Sequence, residues 1–431
     1  MPDPTRAVDR GVERARAAAP PMRHDVVCMS TNHWSGLPTS KQSLMREMSR
    51  SVRVLYVEPP IDLFSTLGRR RRWPKLRGIR RVHANLWVLS TIGLSASSDP
   101  TARARDIGRG LPRVDAAIRR LGLSNHVLWC FAPEHAVCAG RLGERCVVYS
   151  AADEPAAFSR RPDVTRSFEQ KMLEAADLVF VVSQALLDAR AEHPDVYRLP
   201  NAADVPHFKR VLAGDSAVSD DRFVEALETA PRPADLPRTK GPIIMYGGAA
   251  YQWFDFDLVS AVATARPAWT IVLVGPGGGS EVLPSNVVRL GRRPYARFPE
   301  YVAACDVAVI PWRDGLFARH ADPIVLYQYL LCGKPVVATP FPAARERGSL
   351  VETADDVEGF VSAIEHALET RGDERLRAER MAFALANTWS ERANEAARLI
   401  EAAVRRRSRG ADRLTVRAVS AANGTVDEET S

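Results

Sequence analysis

Short runs of apolar residues recur along the chain, and segments with helical periodicity separate most of them. In the first half they predict strands at 24–30, 53–60, 86–90, 126–131, 146–151 and 178–183. An amphipathic segment over 39–49 predicts a helix between the first two strands. A strand, a helix and a second strand in close succession are typical of a parallel βαβ unit, so the first half predicts a Rossmann-like domain.

The same pattern restarts after a polar, proline-rich stretch. Strands are predicted at 242–248, 270–275, 287–291, 306–312 and 334–340, with a helix at 256–265. The chain therefore predicts an α/β architecture of two Rossmann-like domains with parallel sheets. Two such domains facing each other leave a cleft at the carboxyl ends of their strands, which is where open α/β sheets bind ligands.

These patterns divide the chain into consecutive segments. They predict a disordered leader (1–22), a first domain (23–205), an interdomain connection with one short helix (206–240), a second domain (241–386), a C-terminal helix (387–407) and a disordered tail (408–431). A chain of 431 residues is long enough for two or three compact units.

The charge and the cysteines narrow the class of protein. The net charge of +7 makes an anionic partner more probable but does not choose among nucleic acid, membrane and phosphate-bearing substrates. The six cysteines lack metal-ligand spacing, which indicates free thiols in a reducing compartment. The first 22 residues lack the apolar core of a signal peptide and the apolar runs are shorter than a membrane span, so a cytoplasmic protein is expected.

Three stretches of the second half carry candidate chemistry. Gly247 and Gly248 follow a predicted strand, where backbone N–H groups could approach a phosphate; a plain tight turn is the alternative. The stretch 274–280, VGPGGGS, departs from the dinucleotide fingerprint and is interpreted as a loop at the cleft. In the third stretch Asp322 is predicted to cap a helix that begins at Pro323 and ends before Gly333.

Gln328 is the one interior polar residue of that apolar helix. Helical side chains lean toward the N-terminus, so the glutamine is predicted to point to the cleft. The alternative is a buried amide that is hydrogen-bonded to neighbouring backbone.

Several motifs of the second domain resemble the donor-binding domain of GT-B glycosyltransferases. They are GPIIMYGGAAYQWFDFDLV, NVVRLGRRPYARFPEYVAACDVAVIPW and DPIVLYQYLLCGKPVVAT. In the first domain, MSTNHWSGLPTSKQSLMREMSRSVRVLYVEPP, YSAADEP, ADLVFVVSQALLDAR and LPNAAD are similar in order and spacing to bacterial enzymes of teichuronic acid and surface polysaccharide synthesis. The resemblance covers about 24–400, and it implies a GT-B fold whose C-terminal helix, starting near NTWSERA, crosses back to the first domain.

The resemblance implies a hexosyltransferase-type enzyme. A nucleotide-sugar binds the second domain as co-substrate, and a surface-glycan or lipid-linked acceptor binds the first. The residues that it implies for donor binding are Gly247, Gly248, Tyr251, Arg292, Arg293, His320, Asp322, Pro323, Ile324, Val325 and Gln328. On the acceptor side it implies Trp34, Ser35, Gly36 and Glu154.

The chain departs from this family at three positions of the donor site. Gln328 stands in place of a glutamate that grips the ribose, Val325 in place of a basic residue at the diphosphate, and His320 in place of a second glutamate. Arg292, Arg293 or Arg319 is expected to supply the missing positive charge.

Candidates for catalysis come from the first domain. An inverting transferase needs a base for the acceptor hydroxyl, and His33 and Asp153 follow strands at the expected edge. The alternatives are an ordinary loop histidine and an aspartate that caps a turn. No visible motif requires a metal, and no cofactor is expected.

The segment 68–81, GRRRRWPKLRGIRR, combines cations with aromatic residues in the first domain. It predicts peripheral contact with an anionic membrane at the inner face of the cell membrane, with a solvated basic loop as the alternative. Nucleic-acid binding is not expected, because no recognition fold accompanies the patch.

Two other functions stay open from the sequence. The substitutions at Val325 and Gln328 also suit a GT-B protein that has lost transfer and acts as a scaffold in polysaccharide assembly. A nucleotide-sugar epimerase on the same fold is the third possibility.

Overall fold

The computed structural model of the chain describes residues 22–62, 78–94, 99–279 and 281–423, with the backbone alone for 410–423. Within these residues two sheets of mainly parallel strands are each packed on both faces. The predicted α/β class with two Rossmann-like domains is therefore confirmed.

The first domain contains an eight-stranded sheet in the order β10-β9-β8-β7-β1-β2-β5-β4. The strands are β1 Asp25–Met29, β2 Val54–Val57, β3 Ile61–Asp62, β4 Arg80–His83, β5 Leu86–Leu89, β6 Ile92–Gly93, β7 His126–Cys130, β8 Val147–Ala151, β9 Leu178–Val181 and β10 Val196–Arg198. The helices are α1 Ser40–Met48, α2 Pro100–Leu121, α3 Pro162–Ala175 and α4 Gln184–Asp188. All pairs in this sheet are parallel except β4 with β5, while β3 and β6 pair separately.

The second domain contains a parallel sheet in the order β13-β12-β11-β14-β15-β16. Its strands are β11 Ile243–Gly247, β12 Thr270–Val274, β13 Val287–Gly291, β14 Val307–Ile310, β15 Val336–Ala338 and β16 Glu352–Thr353. The remaining helices are α5 Val205–Ala213, α6 Asp220–Glu228, α7 Phe256–Ala265, α8 Phe298–Ala304, α9 Leu316–His320, α10 Ile324–Leu331, α11 Pro342–Arg345, α12 Val357–Glu369, α13 Glu374–Ala386 and α14 Trp389–Asn423.

The segment 206–240 is part of the second domain rather than a free connection. It forms most of α5 and all of α6, where the sequence predicted one short helix. Phe208, Phe223 and Leu227 lie in the same buried cluster as Met245 of β11. The sequence did not predict this packing, because the segment is mostly polar and proline-rich and contributes only a few large apolar side chains to the core.

The C-terminal helix crosses back to the first domain, as the resemblance implied. Trp389, Ala396 and Ile400 of α14 belong to the core cluster that contains Val26 of β1. The chain returns to the first domain beside the segment where it first left that domain, since Ala203 N donates to Asn387 O at 2.9 Å. The helix continues to Asn423, so the predicted boundary at 407 and a disordered tail from 408 were wrong.

In each sheet the order in which successive strands are added reverses beside the first strand. The reversal falls between β1 and β7 in one sheet and between β11 and β14 in the other. At such a switch point the loops after neighbouring strands diverge and leave a crevice at their carboxyl ends. No helix among the described residues is both long and apolar enough to cross a membrane.

Candidate functional site

A cavity of about 180 Å³ lies between the domains at the carboxyl ends of the strands of the second sheet. It is lined by Leu37, Pro38, Gly247, Gly248, Ala249, Val274, Gly275, Pro276, Arg292, Arg293, Tyr295, Phe298, Ile324, Val325 and Gln328. Seven of these residues are among those predicted for donor binding. We call this space the interdomain cavity.

The first domain reaches the interdomain cavity through the loop between β1 and α1. Leu37 and Pro38 form its contribution to the lining. Gln42 of α1 holds the loop in shape, because its amide nitrogen donates to the carbonyls of His33 and Leu37, both at 3.2 Å. The same side chain caps α1 by accepting from Thr39 N at 2.9 Å. Apart from the length of the loop, no feature of the sequence predicts this contribution.

Asp322 connects the two domains and does not cap α10, so its predicted role as N-cap was wrong. Pro323 occupies the N-cap position. The Asp322 carboxylate is buried and accepts from Asn201 N at 2.7 Å, Tyr327 Oη at 3.0 Å and Arg347 Nη2 at 3.1 Å. Because Asn201 lies at the end of the first domain, the aspartate fixes the start of α10 against that domain.

The first turn of α10 faces the interdomain cavity. Ile324 and Val325 line it, and their N–H groups form no hydrogen bond within the described residues. Unpaired first-turn amides and the helix dipole together attract an anion. Asp322 and Pro323, predicted at this site, lie just before the turn and outside the lining.

Gln328 lies one turn further along α10 and lines the interdomain cavity, in the direction that the sequence predicted. It is 4% exposed, and its Nε2 donates to Tyr295 Oη at 2.9 Å. Tyr295 Oη in turn donates to Asp204 Oδ2 at 3.4 Å, and the Tyr295 ring stacks on His207 at 4.4 Å. The amide therefore belongs to a hydrogen-bonded chain that extends to α5, and Gln328 Oε1 accepts no hydrogen bond from the part of the chain that the structure describes.

This chain predicts the effect of Gln328→Glu. Tyr295 has one hydroxyl proton, so two carboxylates would compete for it. The cation Arg46 lies 3.9 Å from Asp204 and pairs with that carboxylate. We expect a loss of about 1–3 kcal/mol in the free energy of unfolding at neutral pH. Like-charge repulsion and burial raise the pKa of the new carboxyl above its unfolded value of about 4.3.

The loss should therefore depend on pH in one direction. Because the folded state binds the proton more tightly, the loss is small below about pH 4.3 and grows as pH rises through the folded pKa. Denaturant melts of the variant between pH 4 and 8 measure this, with Gln328→Met as a neutral control of similar size. A pH-independent loss equal to that of the control would show that the hydrogen-bonded chain is not formed.

Gly247 and Gly248 line the interdomain cavity, but their N–H groups do not face it. Gly247 N donates to Tyr329 Oη at 2.6 Å and Gly248 N donates to Val274 O at 2.9 Å. The predicted approach of these two amides to a phosphate was therefore wrong. The glycines serve packing instead, since a Cβ on Gly247 would lie 2.5 Å from the Phe298 ring.

Three arginines were candidates for the missing positive charge, and the structure separates them. Arg293 lines the interdomain cavity but is paired with Asp235 at 2.6 Å. Arg319 is paired with Asp314 at 2.7 Å and lies outside the lining. Arg292 lines the cavity, is exposed, and its guanidinium forms no hydrogen bond or ion pair within the described residues. It is therefore the arginine available to an anion in the cavity.

Two predicted donor residues lie elsewhere. Tyr251 is 50% exposed and lines a separate open depression of about 650 Å³. His320 ends α9, where its Nδ1 lies 2.8 Å from Leu316 O, and it is not in the lining.

The predicted acceptor-side residues have mixed roles. Trp34 packs edge-on against Tyr56 at 5.0 Å, and Glu154 accepts from Arg190 Nη2 at 3.3 Å, so both support the fold. Ser35 is exposed, and Gly36 N donates to His33 O at 3.0 Å in the loop after β1.

His33 is exposed at this same loop and lies beside a buried carboxylate. Its Nδ1 is 3.8 Å from Glu58 Oε2. Burial alone would raise the pKa of Glu58, but His33, Ser90 and the Trp34 amide together lower it to about 2. A carboxylate that is ionised at neutral pH beside an accessible imidazole resembles the carboxylate–histidine pair of a histidine base, at a longer distance than a hydrogen bond.

Asp153 follows β8 and forms the second candidate base. Burial raises its pKa to about 6, while the charge of Lys41 acts in the opposite direction. The residue as a whole is exposed, although the protein around its carboxyl group disfavours the charged form. Burial also lowers the pKa of Lys41, whose Nζ lies 5.8 Å from the centre of the Phe131 ring. Lys41 lies in the first turn of α1 and was not predicted from the sequence as a site residue.

No three His, Cys, Asp or Glu side chains of the described part of the chain are grouped as metal ligands would be. Another histidine of the first domain, His135, is unsuited to proton transfer at neutral pH. Burial lowers its pKa to about 3, with Lys41 and Arg103 acting in the same direction.

Several solved structures share this arrangement of two domains. Sucrose-phosphate synthase from Thermosynechococcus elongatus is 13% identical over 91% of this chain and 100% of that chain, with a TM-score of 0.58. HepE from Anabaena, in complex with UDP and glucose, is 17% identical over 86% and 98%, with a TM-score of 0.56. The catalytic domain of starch synthase IV from Arabidopsis thaliana, bound to ADP and acarbose, is 12% identical over 88% and 99%, with a TM-score of 0.60.

The sequence comparisons identify the second domain. Residues 242–370 match the family model described as "Glycosyl transferases group 1". The putative teichuronic acid biosynthesis glycosyltransferase TuaH of Bacillus subtilis (strain 168) is 24% identical over 278 residues, which are 61% of this chain and 68% of that protein. The chain contains a glycosyltransferase group 1 domain and has the GT-B fold. The matched residues contain most of the interdomain cavity, including Gly247, Arg292 and Gln328.

Proposed function

We propose that this glycosyltransferase moves a sugar from a nucleotide-sugar, held in the interdomain cavity, to a hydroxyl of a surface-glycan or lipid-linked acceptor on the first domain. The observation that carries the proposal is the composition of the cavity wall. The unpaired Arg292 and the free first-turn amides of Ile324 and Val325 face the same space, which suits a diphosphate. The Oε1 atom of Gln328 is an acceptor for a ribose hydroxyl.

The residues at the cleft support an inverting transfer. The acceptor oxygen attacks the anomeric carbon, its proton passes to the Asp153 carboxylate, and the bond from that carbon to the diphosphate oxygen breaks. Arg292 and the α10 N-terminus stabilise the charge that develops on the leaving diphosphate. His33, with Glu58 behind it, is the competing base.

HepE was solved in complex with UDP and glucose, and the catalytic domain of starch synthase IV with ADP and acarbose, which supports a nucleotide in the cleft of this fold. The predicted membrane contact rests mainly on 68–77, which lie outside the described residues. Of the rest of that patch, Arg80 donates to Glu58 at 3.1 Å and Arg81 lies over Trp87 at 5.5 Å. Contact with a membrane therefore stays a prediction.

A ligand screen tests the proposal. A nucleoside diphosphate or nucleotide-sugar at about a hundred times its Kd should stabilise the folded chain by about 2.7 kcal/mol, and the bound donor should be transferred or slowly hydrolysed. Donor converted without acceptor into an epimer would instead show an epimerase. A folded chain that binds no member of a broad donor panel would favour the scaffold.

The scaffold is the second candidate because Val325 brings no charge to the cavity. The double variant Val325→Lys with Gln328→Glu separates the two functions. Newly gained donor binding would indicate a decayed site, while weakened donor binding would indicate a site adapted to its neutral residues.

A further inference from the structure

Four aromatic side chains form a continuous surface beside the interdomain cavity, and we call them the aromatic rim: Phe158, Tyr251, Trp253 and Phe317. Tyr251 meets Trp253 edge-on at 5.4 Å, and Trp253 stacks on Phe317 at 4.4 Å. Phe158, from the first domain, meets Phe317 at 5.7 Å and Trp253 at 6.3 Å. The rim therefore spans both domains.

The two ends of the aromatic rim are open to solvent. Tyr251 is 50% exposed and Phe158 is 43% exposed, although large aromatic side chains usually bury most of their surface. Nothing in the fold requires this exposure, because the residues between them already pack against a core cluster. A continuous apolar surface at a cleft is typical of a binding site.

Polar groups surround the rim at the open depression beside Tyr251. Gln252 is exposed and its amide forms no hydrogen bond within the described residues, while Arg313 pairs with Asp257 at 2.6 Å. Glu281 lines the same depression. A lipid chain would remove water from these groups without offering hydrogen bonds, whereas sugar hydroxyls would hydrogen-bond to them. The apolar C–H face of a pyranose ring also fits the electron-rich face of an aromatic ring.

The aromatic rim lies near both the interdomain cavity and the segment that carries Asp153. Trp253 Nε1 donates to Ala249 O at 3.1 Å, and Ala249 lines the interdomain cavity. At the other end of the rim, Phe158 is the last residue of a short helical turn that follows Asp153. A chain of sugars lying on the rim would thus extend from beside the cavity toward the candidate base.

We propose that the aromatic rim is a saccharide subsite, which holds the part of a glycan acceptor that lies outside the reacting sugar. This deepens the proposed function and rests on it. It also assigns Tyr251 to the acceptor, where the resemblance implied the donor.

Binding experiments on the full chain test the subsite. The probes are short bacterial and synthetic oligosaccharides on a glycan array, followed by calorimetry of the ones that bind. We expect at least one to bind, and Tyr251→Ala to weaken that binding by about tenfold through loss of the stacking surface. Tyr251→Phe, which keeps the ring, should stay within about threefold of the natural chain. The affinity for UDP should be the same in all three proteins.

Three results would overturn the subsite. They are the absence of any bound saccharide in a chain that still binds UDP, equal saccharide affinity in Tyr251→Ala, and a loss of UDP affinity in Tyr251→Ala, which would return Tyr251 to the donor site. The proposed function fails separately. A chain that binds saccharide through Tyr251 but no nucleotide would keep the subsite as a glycan-binding surface and remove the transferase proposal.

Discussion

Asp153→Asn is expected to lower kcat by about a hundred- to ten-thousandfold, the range that a positioned general base contributes. The change removes the proton acceptor and keeps the shape of the side chain. Donor affinity should stay the same, because Asp153 does not line the interdomain cavity. Transfer assays and UDP titrations on the two proteins provide both numbers.

The pH profile makes this expectation specific to Asp153. Burial raises the pKa of this carboxyl to about 6, close to the pH at which a base must act. A base works in its deprotonated form, so kcat/KM should rise with pH through about 6 and level off above it. Asp153→Asn should remove this acid limb along with most of the rate.

His33→Asn is the matched variant, since it removes the competing base at the same cleft. We expect a smaller loss, with the limb near pH 6 retained. The reverse result, a large loss for His33→Asn and less than about tenfold for Asp153→Asn, would assign the base to the His33–Glu58 pair. Small losses in both variants would indicate a retaining transfer that needs no base.

The sequence predicted the strands well because their apolar runs are buried on both faces, which leaves little room for another interpretation. β1 and β11 lie within the runs predicted at 24–30 and 242–248. Strands without such runs were missed: β4 alternates half-buried with exposed residues at the sheet edge, and β16 has two residues. The continuous apolar run that marks a buried strand is absent from both.

The candidate site was predictable in position but not in hydrogen bonding. A strand end followed by glycines correctly indicated the cavity wall, yet the partners of Gly247 and Gly248 come from Tyr329 and Val274, distant in sequence. Asp322 looked like an N-cap for the same reason, since the local pattern fits a cap and only the fold brings Asn201 to it. Local patterns therefore gave the element and tertiary contacts changed its chemistry.

Because the N–H groups of Gly247 and Gly248 have partners within the protein, a diphosphate has fewer hydrogen-bond donors than the sequence predicted. With the amides of Gly247 and Gly248 engaged, the candidates are the first turn of α10 and the arginines of the cavity wall. Arg293 already pairs with Asp235, so a phosphate would have to compete with that carboxylate. Arg292 has no such competitor among the described residues.

Arg292→Ala is accordingly expected to weaken UDP binding by about ten- to a hundredfold, because a hydrogen bond to a charged group contributes about 1.5–3 kcal/mol. Calorimetry of UDP and uridine separates this contact from the rest of the site. Uridine lacks the phosphates, so its affinity should not change. In the natural chain, the ratio of UDP affinity to uridine affinity should fall as salt is added. In Arg292→Ala this ratio should depend far less on salt.

Two further variants distinguish a direct contact between Arg292 and the diphosphate from attraction by the overall positive charge of the cavity wall. Arg292→Lys keeps the charge without the planar fork, and we expect it to recover part of the UDP affinity. Arg293→Ala removes an equal charge from the same wall, but mainly breaks the pair with Asp235, so it should reduce stability more than UDP affinity. If both alanine variants weakened UDP equally, the cavity would attract the diphosphate through its overall charge. Arg292 would then not be the residue that replaces the basic side chain absent at Val325.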